Sequence, residues 1–119
     1  MIENRFEDLL DELRELTERG KVEWREAAGD DSFTTLLKSG GVQIEKLYHE
    51  NEDGFSLPYY EVTLLNSKSR PIQTLNSNSP VVAEPSLLHD LFELARFNAR
   101  RGADVLDGLL TEVHGIAAH

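Results

Sequence analysis

The stretch Ser86–Val113, SLLHDLFELARFNARRGADVLDGLLTEV, constrains the fold more than any other part of the chain. At 100° per residue, Leu88, Leu91, Phe92, Ala95, Ala99, Leu106, Leu109, Leu110 and Val113 fall within one arc of about 100°, the pattern of an amphipathic helix. Gly102 costs roughly 1 kcal/mol relative to alanine in a helix interior. The periodicity nevertheless keeps phase across it, so one long helix, bent at most, is expected. A stripe of that length needs a broad surface to cover it.

The opposite end of the chain supplies part of that surface. Ile2, Phe6, Leu9, Leu13 and Leu16 recur at spacings of 4, 3, 4 and 3, and Gly20 stands where a left-handed residue ends a helix. Residues 3–19 therefore read as a second amphipathic helix. Its outer face is dense in Glu and Asp, with Arg5, Arg14 and Arg19 spaced for local pairing. Between the two helices the apolar period is two. KVEWRE, FTTLLK, VQIEKLYH, YYEVTLLN and IQTL read as strands, with Tyr60, Val62 and Leu64 alternating against Tyr59, Glu61 and Thr63 in the clearest of them. The separators AGDD and SGG suit hairpin turns, and connections this short force antiparallel neighbours. Glu50–Pro58 reads as a longer turn, and Pro71 marks an edge strand. The Asn- and Ser-rich NSNSPVVAEP is a surface loop, after which Ser86 is the expected N-cap. The result is an α+β domain of residues 1–119, an antiparallel meander of about five strands covered on one face by an N-terminal and a long C-terminal helix.

Charge narrows the function classes. The net charge is −10, and residues 1–31 hold 11 acids against 5 bases. Such a chain repels nucleic acid and anionic lipid, because binding phosphates requires clustered Lys and Arg. Acidity also fits simple solubility or, alternatively, an acidic mimic of nucleic acid that occupies a basic partner. The chain has no cysteine, which removes disulfides, thiolate metal sites and cysteine nucleophiles. MIENRFEDLLDELRE lacks the basic and apolar regions of a signal peptide, and no apolar run reaches the roughly 20 residues that span a bilayer. A soluble, cytoplasmic protein is expected.

Motifs for chemistry are missing. There is no nucleophile elbow, Walker loop or dinucleotide fingerprint. His49, Asn51, Asp53 and Gly54 resemble the start of a calcium loop, but His49 replaces its first Asp and Tyr60 its closing Glu. His49, His89, His114 and His119 are scattered, and His89 with Glu93 offers only two ligands where zinc takes three or four. No cofactor and no metal is expected.

What remains are residues that depart from the stripe. Arg96, Arg100 and Arg101 fall within six residues; either they pair with the acidic first helix or they grip a carboxylate or phosphate. Leu94 and Phe97 point away from the stripe, so either a neighbouring helix wraps over them or they form a patch for dimerisation or partner binding. Tyr59, Leu47 and Leu65 lie on the sheet face opposite the core, where aromatics serve interfaces. These features favour a non-catalytic protein-interaction module (adaptor, regulator or inhibitor-like subunit) acting through a helix face and an open sheet face, on a protein partner or on itself. The alternative is a small anionic-ligand binder or enzyme with a pocket between sheet and helices.

Overall fold

A computed structural model describes residues 2–29, 31–78 and 85–118. It contains α1 (Ile2–Glu18), β1 (Arg25–Glu26), β2 (Ser32–Leu36), β3 (Gly40–Glu50), β4 (Ser56–Asn66), β5 (Pro71–Asn76), α2 (Pro85–Ala99) and α3 (Gly102–Ala117). The strands form one antiparallel sheet in sequence order, β1-β2-β3-β4-β5. The expected α+β meander is therefore present, with three helices instead of two.

Alternation builds the core. Phe33 pairs with Ile44, Ile44 with Val62, and Val62 with Leu75, so one face of four strands presents a row of fully buried side chains. Against them α2 sets Leu87, Leu88, Leu91, Phe92 and Ala95, with the Phe92 ring edge-on to Phe33 at 5.6 Å. Helix α1 lies alongside α2 and sends Phe6, Leu10 and Leu13 into the same cluster. Leu10 is fully buried, whereas Leu16, expected on the inner stripe, is 36% exposed. The helix ends as its sequence predicts: Gly20 takes φ 71°, its N–H donates to Thr17 O and the Lys21 N–H to Leu16 O.

Several boundaries differ from the sequence expectation, each for a local reason. KVEWRE supplies only the two residues of β1, because its backbone is satisfied by side chains before the ladder begins. Trp24 N–H donates to Asn98 Oδ1 at 2.7 Å, Asn98 Nδ2 donates to Val22 O, and Thr35 Oγ1 to Glu23 O. The β3–β4 hairpin is longer than expected, since strand pairing reaches Glu50 opposite Ser56 and absorbs Pro58. Its turn is held by Asn51 Oδ1, which accepts from the N–H groups of Asp53 and Phe55, with Gly54 at φ 83°. Pro58, which cannot donate to a ladder, sits where β4 has no second neighbour, because β5 pairs only with Glu61–Leu65. Ser86 is not an N-cap: α2 already begins at Pro85, whose fixed φ suits a first helical turn. The preceding NSNSPVVAEP loop lies largely outside the described residues.

The main correction concerns the last helix. Arg101 adopts a left-handed conformation, φ 55° and ψ 45°, and ends α2 as one body. A non-glycine residue in that region breaks the helical hydrogen-bond ladder and redirects the chain. Helix α3 restarts at Gly102, meets no element other than α2, and has no buried residue. The second half of the apolar stripe thus leaves the core instead of covering it. The Cα radius of gyration is 16.8 Å, against about 13.5 Å for a compact chain of this length. The excess reflects α3 and the β3–β4 ribbon, both of which extend from the packed body.

Candidate functional site

Three arginines, two off-stripe apolar residues and one tyrosine were the sequence candidates. The structure gathers five of the six at the α2–α3 corner and places Tyr59 elsewhere.

At the corner, each arginine has a carboxylate partner. Arg96 pairs with Glu93 one turn earlier on α2 and lies over the Phe92 ring. Arg100 donates to Glu26 of β1 at 2.8 Å and covers Phe33 at 5.4 Å. Arg101 pairs with Asp104 in the first turn of α3, 2.7 Å away. These partners lie in α2, β1 and α3, not in the acidic first helix, where the arginines had one expected destination. The ion pair between α1 and α2 runs the other way, from Arg14 to Asp90 at 3.9 Å.

Leu94 is half-buried and Phe97 is 50% exposed. The Phe97 ring lies directly on Gly102, where a Cβ would collide with the ring's Cδ2 and Cε2, so glycine is what allows the ring to rest there. On α3 the angular position of Gly102 is the middle of an apolar face formed by Val105, Leu106, Leu109, Leu110, Val113 and Ile116. Phe97 therefore forms the near end of that face. Its six α3 side chains are 47% to 74% exposed. With Phe97 they leave roughly 700 Å² of side-chain surface open, more than the 300–600 Å² of the largest patch on a typical monomer. The periodicity predicts four of these residues, Leu106, Leu109, Leu110 and Val113, on a core-facing stripe; the break at Arg101 leaves all four exposed.

Beside the corner runs an open groove of about 740 Å³, lined on one wall by Thr17 and Trp24 and on the other by Leu94, Phe97 and Asn98. Trp24 anchors its floor: the indole N–H donates to Thr17 Oγ1 at 2.9 Å, and the Thr17 hydroxyl donates to Leu13 O at 2.7 Å. Around its mouth stand Glu18, Glu23 and Asp104 with Arg101, so an anion entering would meet more acid than base.

Tyr59 lies on the sheet face away from the helices, half-buried, paired with Leu47 across the ladder and with its ring 5.6 Å from that of His49. Much of that face is polar, with Gln43 bonded to Ser32 and Thr63 to Thr74. Its exposed apolar residues include Leu57 beside Tyr59 and, at the tip of the projecting ribbon, Phe55 at 66%, and also Leu36, 55% exposed at the end of β2. Leu65 is buried instead of open. On the core side of the ribbon's base, burial pushes the Tyr60 phenol above its ordinary value of 10.0, reinforced by Glu93 and Tyr48 and opposed by Lys46 and Arg96. His89 packs edge-on against Tyr60 and reaches Glu93 only at 3.9 Å. Among the described residues, no three His, Asp or Glu side chains converge in a way that holds a metal ion, and no helix is long and apolar enough to cross a membrane.

No protein-family model, curated protein or solved structure matches the chain.

Proposed function

We propose that the protein is a non-catalytic interaction module whose docking surface is the apolar face of α3, with Phe97 at its near end. One observation carries the reading: a 16-residue amphipathic helix holds none of its own residues in the core. Burying a Leu, Val or Ile side chain stabilises by about 1.5 to 3 kcal/mol, so half-exposed side chains forgo roughly half of that each. Summed over six residues, covering this face releases about 5 to 9 kcal/mol. That is enough to offset a substantial part of the cost of association, about 4 to 15 kcal/mol. A face of this kind is expensive in water unless something covers it.

The sheet face offers less, since its exposed apolar residues, among them Leu57 on the ribbon and Leu36 at the end of β2, stand apart from one another. An anion pocket is less well supported, because each arginine at the corner has a carboxylate partner and acids outnumber bases at the groove. A cytoplasmic setting belongs to the same proposal, since a chain without cysteine gains nothing from an oxidising compartment.

The test is the double substitution Leu106→Gln, Leu109→Gln. Both side chains are half exposed, so the domain should keep its near-ultraviolet dichroism from Trp24 and lose little stability. Association, either of the purified chain with itself or with proteins of a cell extract, should fall at least tenfold. Equal association by wild type and variant would show that the α3 face docks nothing.

A further inference from the structure

We infer that the partner of α3 is the α3 of a second copy of this chain, the two helices packed antiparallel about a two-fold axis near Leu109. This rests on the reading of α3 as the docking surface and names its occupant.

The spacing of the face is the first reason. Gly102, Leu106, Leu109, Val113 and Ile116 follow one another at intervals of 4, 3, 4 and 3, the seam of a helix that pairs with another helix. Among the described residues, α3 is the one helix whose apolar face lacks a cover, and a second copy brings the same seam at the same length, about 24 Å.

Area is the second reason. Covering most of the roughly 700 Å² open on each copy would clear the ~1,000 Å² in total that a specific interface needs, before any polar rim is added. The seam also completes itself at its ends. Gly102 leaves an empty place that Phe97 fills, and an antiparallel partner lays its most exposed residue, Ile116 at 74%, near that ring. Each copy contributes the same patch once, and the contact of Gly102 with Ile116 recurs as Ile116 with Gly102, as an isologous interface requires.

Electrostatics sets the direction. The seam begins at the N-terminal, positive end of the α3 dipole and ends in the carbonyl groups of its last turn, the negative end. Antiparallel packing brings the positive end of one copy's helix to the negative end of the other's. Parallel packing would instead set like ends side by side.

The chain has no cysteine, so single cysteines report the geometry cleanly. The purified full chain should sediment at twice its 13.4 kDa mass at micromolar concentration, and Leu109→Glu should return it to one copy with the Trp24 dichroism intact. Under mild oxidation Leu109→Cys should cross-link readily. Ile116→Cys should not, because antiparallel helices hold the two positions roughly 20 Å apart, beyond the ~7 Å Cα separation that a disulfide spans. Cross-linking by both variants overturns the antiparallel arrangement. A monomeric wild type overturns the second copy as occupant: if Leu106→Gln, Leu109→Gln still abolishes capture of an extract protein, the docking reading stands without it. A monomeric wild type whose extract binding ignores α3 loses both.

Discussion

Asn98 shows how one side chain can replace a length of strand. Its amide accepts from Trp24 N–H and donates to Val22 O, so both backbone groups are satisfied from α2 and the chain needs no partner strand there. The cost of removing it follows from the groups left behind. Asn98→Ala strands a partly buried N–H and C=O, which costs about 1 to 3 kcal/mol for each group that water does not reach. Urea unfolding should show a lower midpoint by that measure with an unchanged slope, and Asn98→Asp, which keeps the acceptor and loses the donor, should fall between. An effect below 0.5 kcal/mol, the usual range of surface changes, would mean that the 22–24 segment is held by Trp24 packing alone. Nothing in the sequence marks Asn98, because its two partners lie 74 and 76 residues away. Phe97 was visible for the opposite reason: an apolar residue on the wrong side of a periodic helix announces itself.

At the scale of elements, the break between α2 and α3 depends on Arg101. A left-handed conformation costs a non-glycine residue roughly 1 to 2 kcal/mol. Arg101→Gly should therefore stabilise the chain by about 1 kcal/mol in thermal or urea unfolding while leaving the corner in place, although part of the gain is lost with the Arg101–Asp104 pair. Destabilisation would indicate that the ion pair, which is exposed on both sides, matters more than exposed pairs usually do. The sequence contains the elements of this corner without their arrangement. Periodicity reports that a face is apolar and where it repeats; it does not report what covers that face. Because the stripe keeps phase through Gly102, the same nine residues fit one long helix on a core or two helices of which the second stands clear. The strands were legible because alternation and hairpin turns agree. Their ends were not, since the β3–β4 ribbon continues past the core where neither neighbouring strand follows. On α1 the spacing points to Leu9 and Leu16, yet Leu10 is the residue fully buried, because α1 is covered by α2 and the direction of that contact shifts its buried arc.

For the whole molecule, the buried apolar residues end at Ala95, so the packed body is complete before α3 begins. A chain ending at Arg100 should consequently fold, keep the Trp24 environment, and match the stability of the monomeric Leu109→Glu chain to within about 1 kcal/mol. Its urea slope should change little, because that slope follows the surface exposed on unfolding and α3 buries almost none. The full chain should behave differently in one respect. If α3 is covered by a second copy, association stabilises the native state by mass action, and the melting temperature must climb with protein concentration. The shortened chain has no such linkage, so its melting temperature should stay constant across the same range. A concentration-independent melting temperature in both would place α3 outside any self-association. Loss of cooperative unfolding in the shortened chain would instead mean that the corner, with Phe97 resting on Gly102, holds α2 in register on the sheet.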